Sequence, residues 1–169
     1  ENQKISFSDI GSVKEIKKWA EELGAEITTL KLESQFRCNG SDSYLSWLDD
    51  VLEIKETANF DGFDLNYDFK IFSDPNDLKK AIVEKNNINN KSRLVAGYCW
   101  NWVKEGKSKK EIHDIKIPEK NFSMSWNLGN TATWLIDEES IDEVGCIHTS
   151  QGLELDYVGV IIGNDLREE

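Results

Sequence analysis

The sequence comprises 169 residues, of which 38% are hydrophobic and 31% charged, a composition that indicates one folded domain and excludes a disordered chain. Its 20 basic and 32 acidic residues give a net charge of −12, which argues against a free-standing nucleic-acid binder because phosphate contacts depend on clustered Lys and Arg. No apolar run approaches the roughly 18 residues of a membrane helix. Residues 1–20 are polar and mixed in charge, so we expect neither a signal peptide nor a membrane partner.

The N-terminal part of the chain predicts a helix followed by a strand. Asp9 or Ser12 is suited to cap a helix over 12–23, and Gly24 is suited to end it. Residues 26–32 (EITTLKL) alternate in polarity and are rich in β-branched side chains, which predicts a strand. The apolar residues of the helix recur at helical spacing: Ile16, Trp19, Ala20 and Leu23.

Two more helices follow, with a strand between them. Ser41 or Asp42 caps the second helix, and Asp74-Pro75 begins the third, which has proline in its first turn and ends at NNINN (86–90). Residues 68–72 (DFKIF) predict a strand after a turn-rich stretch. The predicted inner faces are Tyr44, Leu45, Leu48, Val51 and Leu52 in the second helix, and Leu78, Ala81 and Ile82 in the third.

The C-terminal part predicts three strands and one irregular insertion. Residues 93–99 form a continuous apolar run, as expected for a strand buried on both sides. Residues 100–135 show no clean periodicity, and we expect an insertion with short strands there. Residues 144–149 and 157–163 predict two further strands joined by a polar loop. The insertion contains four of the six tryptophans: Trp100, Trp102, Trp126 and Trp134.

Amphipathic helices alternating with apolar strands predict an α/β fold with a mainly parallel sheet. We expect residues 1–169 to form a single domain. Because Glu1 is not a methionine and residues 1–6 resemble the middle of a longer segment, we also expect the domain to be excised from a longer protein.

The cysteine and histidine content predicts no metal site. Cys38, Cys99 and Cys146 are far apart and odd in number, and the histidines are His113 and His148. A zinc site would need four ligands at close spacing. We therefore expect reduced thiols in a cytoplasmic protein, with Cys99 and Cys146 in the core because both lie in apolar runs.

Three common site patterns fail on their spacing. Residues 101–108 (NWVKEGKS) lack the first glycine of a phosphate-binding loop and carry Trp102 inside it, which predicts a solvated basic loop instead. Residues 60–68 lack the residue order of a calcium loop and indicate an acidic turn. The sequence offers no Ser-His-Asp or Cys-His arrangement, and no carboxylate cluster typical of a nuclease.

One constellation places polar groups at strand ends. It consists of Gln3, residues 32–41 (LESQFRCNGS) and residues 146–163 (CIHTSQGLELDYVGVIIG). In an open α/β sheet, ligands bind at the carboxyl ends of the strands. Arg37 follows the predicted strand 26–32 and Thr149 ends the predicted strand 144–149, so both are expected at one edge of the sheet.

The same residues carry a resemblance to a known family. QFRC (35–38) and HTSQGLELDYV (148–158) resemble motifs IV and V of superfamily 1 helicases, and ENQKIS (1–6) resembles the end of motif III. Over nearly its whole length, the chain is similar to a bacterial family of predicted ATPases related to the Schlafen-type DNA/RNA helicase domain. Further blocks fitting that family are QFRCNGSDSYLSWLD (35–49), RLVAGYCWNW (93–102) and IDEVGCIHTSQGLELDYVGVIIGNDL (141–166).

The resemblance implies the second RecA-like domain, with three layers, of a two-domain ATP-driven motor. ATP and Mg²⁺ would then be bound mainly by an N-terminal RecA-like domain outside this sequence, and no cofactor is expected in residues 1–169 alone. Arg37 would be the arginine finger that contacts the γ-phosphate, because a planar guanidinium stabilises charge on the transferred phosphoryl group. Gln3 would sense the same phosphate.

By the same resemblance, His148, Thr149, Ser150 and Gln151 would contact the backbone of single-stranded DNA or RNA. Gly152 and Glu154 would bind the nucleotide, with Glu154 accepting hydrogen bonds from the ribose hydroxyls of ATP. Many relatives have lysine where this chain has Gln151, so phosphate contact here would rely on hydrogen bonds.

Alternative interpretations remain open at this stage. A non-motor, ATP-gated binding or scaffold module would keep the helicase fold without unwinding. An arginine after a strand is usually in a surface ion pair, and Gln151-Gly152 alone indicates a tight turn. The tryptophans of the insertion could stack on nucleobases, but such residues more often pack an irregular subdomain, which is the interpretation we favour.

Overall fold

The computed structural model describes residues 12–30, 42–56, 67–103, 109, 111–129 and 131–166. The chain divides into two compact units, Glu1–Phe69 and Lys70–Glu169, which are described separately below. The prediction of a single domain over 1–169 stays a prediction.

In the first unit, helix α1 spans Val13–Glu22 and confirms the predicted helix and its cap. The Ser12 hydroxyl accepts from the Glu15 backbone N–H at 3.0 Å, and the Glu15 carboxylate accepts from the Ser12 N–H at 3.2 Å. This reciprocal pair is a capping box, in which two backbone donors that the helix leaves free are satisfied. The predicted strand 26–32 is wrong over its described residues, because 26–30 are irregular.

Helix α2 spans Asp42–Val51, as predicted, and contacts the aromatic residues that precede the second unit. The rings of Tyr44 and Tyr67 stack with centroids 4.5 Å apart, and Trp47 meets Phe69 edge-on at 4.8 Å. Residues 68–72 are irregular, so the predicted strand there is wrong. Phe69 contacts Trp47 of α2 instead of pairing in a strand, and Ile71 of the same pattern is exposed.

The second unit contains helix α3, Pro75–Asn89, packed on a parallel sheet. The Asp74 carboxylate accepts from the Asn76 N–H at 2.8 Å at the N-terminus, and Asn90 ends the helix with a left-handed backbone. Leu78 and Ile82 belong to the hydrophobic core, as predicted for the inner face of this helix.

The sheet confirms the predicted α/β class with parallel strands. Strand β1 (Ser92–Ala96) lies between β4 (Val144–Gly145) and β5 (Tyr157–Ile161), and all three run parallel. Leu94 pairs with Val144 on one side and Gly159 on the other. The three-layer RecA-like architecture stays a prediction.

Two glycines permit close approach to the sheet. A Cβ at Gly159 would lie 2.6 Å from Leu94 Cδ2 and 2.8 Å from Ile82 Cγ1, so only glycine lets α3 approach β5 this closely. A Cβ at Gly145 would lie 2.6 Å from the Trp134 indole.

The described residues between 100 and 135 form short elements joined by irregular segments, as expected from the sequence. An antiparallel hairpin joins β2 (Ile115–Ile117) to β3 (Phe122–Met124) through a 3₁₀ turn at Pro118–Lys120. Trp126 and Trp134 are fully buried, and Trp126 forms a parallel bridge with Val144 beside the sheet. The packing interpretation is confirmed for these two tryptophans, which extend the hydrophobic core.

The predicted strand 144–149 is wrong beyond Gly145. The chain turns at Cys146 into a short helix, α4, spanning Ile147–Ser150. The Ser150 Oγ donates to the Cys146 carbonyl at 3.1 Å, so the serine hydroxyl provides this backbone oxygen with a hydrogen bond. Strands β1 and β5 are shorter than predicted, and β5 leaves Val158 and Val160 exposed.

Arg93 is a buried structural residue that the sequence did not indicate. Its side chain is 0% exposed although it lies on β1. Burial lowers the pKa of its guanidinium, opposed by the carboxylates of Asp137 and Glu143. The guanidinium donates to Ser140 Oγ at 2.7 Å, to Asn90 Oδ1 at 2.8 Å, and to the carbonyls of Leu135 and Asp137 at 3.0 Å each. Arg93 thereby links the C-terminus of α3 to residues 135–140.

Within the described residues, no helix is both long enough and apolar enough to span a membrane.

Candidate nucleic-acid interface

The candidate site lies at the carboxyl edge of the parallel sheet in the second unit. Strand β4 ends at Gly145 and leads into α4, while β1 ends at Ala96 and leads to Tyr98. Because the two strands are parallel neighbours, these segments emerge at the same edge. The rings of Tyr98 and His148 have centroids 6.2 Å apart, which brings the two segments together.

The buried side of α4 is held by a small polar network. Thr149 is 6% exposed, and its hydroxyl donates to Asn127 Oδ1 at 2.7 Å. The Asn127 amide in turn donates to Cys146 Sγ at 3.2 Å, and Cys146 Sγ lies 3.3 Å from Thr149 Oγ1. These three side chains fix α4 to the segment that follows β3.

The network also changes the acidity of its members. Burial by itself raises the pKa of the Cys146 thiol, but hydrogen bonds with Thr149, Tyr98 and Asn127 outweigh burial and lower that pKa below its usual value. Burial raises the pKa of Tyr98 to about 12, and its hydrogen bond with Cys146 adds to this effect.

The other side of α4 faces solvent. His148, Gln151, Gly152 and Glu154 are exposed, and Ser150 is half-buried. Gly152 has φ of +84°, a left-handed conformation that suits glycine and turns the chain towards β5. Residues 146–154 contain no lysine or arginine, so this surface can offer hydrogen bonds and an imidazole but no fixed positive charge.

The structure brings some of the predicted site residues together. His148, Thr149, Ser150 and Gln151 lie on or directly after α4, with Gly152 and Glu154 in the turn that follows. They lie after a strand and not at its end, which corrects the predicted placement of Thr149. Gln3 and Arg37 lie outside the described residues.

Sequence reasoning missed two partners of this site. Asn127 contacts Thr149 across 22 positions in the chain, a separation that no local pattern reveals. Its φ of +42° is tolerated by asparagine better than by most residues, but a left-handed residue does not indicate its partner. Cys146 was expected in the core and is buried, yet its hydrogen bonds were not expected. Cys99, also expected in the core, is half-buried.

Among the residues that the structure describes, no group of three or more His, Cys, Asp or Glu is arranged to bind a metal ion. The side chain of Glu154 is exposed.

Comparison with known proteins identifies relatives of the chain. The family model for the Schlafen group 3 DNA/RNA helicase domain matches residues 1–169. The uncharacterized protein YPL245W of Saccharomyces cerevisiae is 28% identical over 150 residues, which cover 80% of this chain and 32% of the yeast protein. The chain therefore spans about a third of the length of that relative. No solved structure matches the chain.

Proposed function

The chain belongs to the Schlafen group 3 DNA/RNA helicase domain family, and from that premise we propose that it is the C-terminal RecA-like half of an ATP-dependent DNA or RNA helicase or translocase. In this proposal, it supplies an arginine finger to ATP and a contact to the backbone of single-stranded nucleic acid. The partner is an N-terminal RecA-like domain of the same protein, which binds most of the ATP and Mg²⁺.

The observation that carries the proposal is the exposed polar segment at the carboxyl edge of the parallel sheet. His148 and Gln151 are exposed on one side of α4, while Thr149 fixes the opposite side through its hydrogen bond to Asn127. A fixed turn with exposed donors is suited to bind phosphate and sugar oxygens, which position a strand without reading its sequence. Because the hydroxyls of Thr149 and Ser150 already donate to Asn127 and to the Cys146 carbonyl, we assign the side-chain contacts to His148 and Gln151.

The nucleotide is proposed to lie between this domain and its partner domain. Glu154 would accept from the ribose hydroxyls, and Gly152 would let the backbone approach the nucleotide closely. Arg37 and Gln3 would contact the γ-phosphate. A planar guanidinium there would act on the charge that develops during phosphoryl transfer and would not be needed for ATP binding.

Strand-stimulated ATP hydrolysis by the intact protein tests the proposal. We expect single-stranded oligonucleotides to stimulate hydrolysis, and Gln151→Ala to raise the oligonucleotide concentration for half-maximal stimulation about tenfold, through the loss of a hydrogen bond to the strand. Lys80→Ala, an exposed position on α3, is the matched control and should behave as the unaltered protein. Hydrolysis that no strand stimulates would contradict the strand contact.

One observation favours a second candidate, a non-motor module that binds ATP as a switch. The hydroxyl of Thr149 is already used by Asn127, and residues 146–154 offer no positive charge to a phosphate. ATP binding without appreciable turnover, together with loss of an arginine motif downstream in the full-length protein, would favour this module.

A further inference from the structure

Beside α4, the structure contains a second surface, formed by the exposed rings of Tyr98 and Trp102 above the buried ring of Trp126. We propose that this aromatic platform stacks against unpaired nucleobases of the strand whose backbone α4 contacts. The inference rests on the proposed function, because it assumes that a single strand is bound at α4. It adds that the bases of this strand are recognised as well as its backbone.

The rings of Tyr98 and Trp102 are accessible to solvent, although both contact a buried tryptophan. Tyr98 is 49% exposed and Trp102 is 44% exposed, whereas Trp126 beneath them is 2% exposed. Tyr98 and Trp102 have centroids 5.9 Å apart and planes inclined by 35°. The two exposed rings are therefore neighbours and not isolated side chains.

The platform is rigid, which reduces the entropy lost on binding. Trp126 contacts Tyr98 edge-on at 5.6 Å and Trp102 at 5.5 Å, so both upper rings rest on the same buried indole. The buried carboxylate of Asp114 accepts from the backbone N–H of Val103 at 2.7 Å and of Trp126 at 3.2 Å. One residue thus fixes the backbone on both sides of the platform.

The platform lies next to α4, the element proposed to contact the strand. Tyr98 lies 6.2 Å from the His148 ring, between Trp102 and the exposed side of α4. A strand whose phosphates lie along α4 would place its bases within reach of these rings. His148 is itself an aromatic ring at the border of the platform and can take part in the same stack.

The charge of residues 146–154 favours bases as the ligand. Stacking on an uncharged ring requires no positive charge, and every base presents a π-face, so binding is tolerant of sequence. Residues 146–154 contain no lysine or arginine, so phosphate attraction along this segment is weak. Base stacking supplies affinity that this surface does not obtain from phosphates.

The test separates bases from backbone by comparing two oligomers. Binding of the intact protein is measured by fluorescence anisotropy with a labelled oligoadenylate, as DNA and as RNA, and with an abasic oligomer of equal length and charge. We expect tighter binding of the oligomer with bases. Trp102→Ala should weaken that binding roughly 5- to 100-fold and leave the abasic oligomer unaffected, because a stacking contact is lost.

Two conservative variants control for folding. Trp102→Phe and Tyr98→Phe keep an aromatic ring at each position, and we expect both to bind oligoadenylate within about threefold of the unaltered protein because the stacking surface remains. Thermal unfolding of Trp102→Ala is measured in parallel. If Trp102→Ala is unfolded, oligoadenylate binding by Trp102→Phe is compared with binding by Trp102→Leu. Because only leucine removes the ring, we expect weaker binding by Trp102→Leu.

Failure of this inference differs from failure of the proposed function. Equal binding of both oligomers, or equal weakening of both by Trp102→Ala, would overturn the platform and leave the backbone contact in place. Absence of binding to either oligomer would overturn both. Retained oligoadenylate binding in Trp102→Ala, together with loss of a protein partner, would assign the rings to protein recognition and overturn the inference.

Discussion

At the scale of single residues, Asn127 joins the two parts of the candidate site. Its amide oxygen accepts from Thr149 and its amide nitrogen donates to Cys146, so one side chain uses both of its functional groups on α4. Asn127 also follows Trp126, the buried base of the aromatic platform. Any movement of α4 must therefore either break these hydrogen bonds or displace the neighbouring tryptophan.

This role predicts the effect of Asn127→Ala on stability. The substitution leaves the buried Thr149 hydroxyl without its acceptor, and we expect it to lower the free energy of unfolding by about 2–3 kcal/mol. Asn121→Ala is a matched control, because Asn121 has a similar left-handed backbone (φ +48°) in the turn between β2 and β3; its cost should be about 1 kcal/mol. Urea unfolding followed by circular dichroism measures both, and equal costs would show that the network contributes nothing.

Residue-level prediction from the sequence succeeded where the signal was local. Ser12, and Asp74 with Pro75, indicated helix starts that the structure confirms, because a cap depends on residues within the first turn of the helix. Thr149 and Arg93 were not assigned their structural partners. Asn127 is 22 positions from Thr149 and Ser140 is 47 positions from Arg93, so these two contacts depend on the tertiary fold.

At the scale of elements, helices were predicted better than strands. Helices α1, α2 and α3 lie where the apolar spacing placed them. Residues 26–30 and 68–72 have strand-like patterns but are irregular. A helix satisfies its hydrogen bonds within its own segment, whereas a strand requires a partner that the local pattern does not specify.

The contact between α3 and β5 predicts the effect of Gly159→Ala. The added Cβ would meet the side chains of Leu94 and Ile82 at 2.6 and 2.8 Å, so the helix must move away from the sheet. We expect a loss of about 1–3 kcal/mol in the free energy of unfolding, as is typical of overpacking. Gly97→Ala is the control, because a Cβ there meets nothing within 4 Å, and it should cost no more than about 0.5 kcal/mol. Similar melting temperatures for the two variants would refute the close packing.

At the scale of the whole molecule, the net charge of −12 and the family membership indicate different properties of the chain. The charge predicts weak binding to phosphates, while the family is that of a DNA/RNA helicase domain. The two agree if the strand is bound through hydrogen bonds at α4 and stacking on the aromatic platform. Binding to single strands should then depend less on salt than it does for proteins that use clustered lysines.

The chain spans about a third of the yeast relative that it matches, so the proposed motor activity is a property of the intact protein. The site at the sheet edge was predicted from strand-end position together with the resemblance to motif V. For the tryptophans of residues 100–135, base stacking was considered but packing was favoured, and Tyr98 was not part of that set. The platform could not be predicted because Tyr98, Trp102 and Trp126 meet only through the fold.

The most direct test of the central claim, that this chain supplies an arginine finger, is ATP turnover by the intact protein carrying Arg37→Ala. The account predicts that kcat falls roughly 10³- to 10⁵-fold while ATP affinity changes by no more than about threefold, because the guanidinium acts on the transition state. Arg37→Lys keeps the charge without the planar fork and should recover only part of the loss. Near-normal turnover by Arg37→Ala would contradict the account.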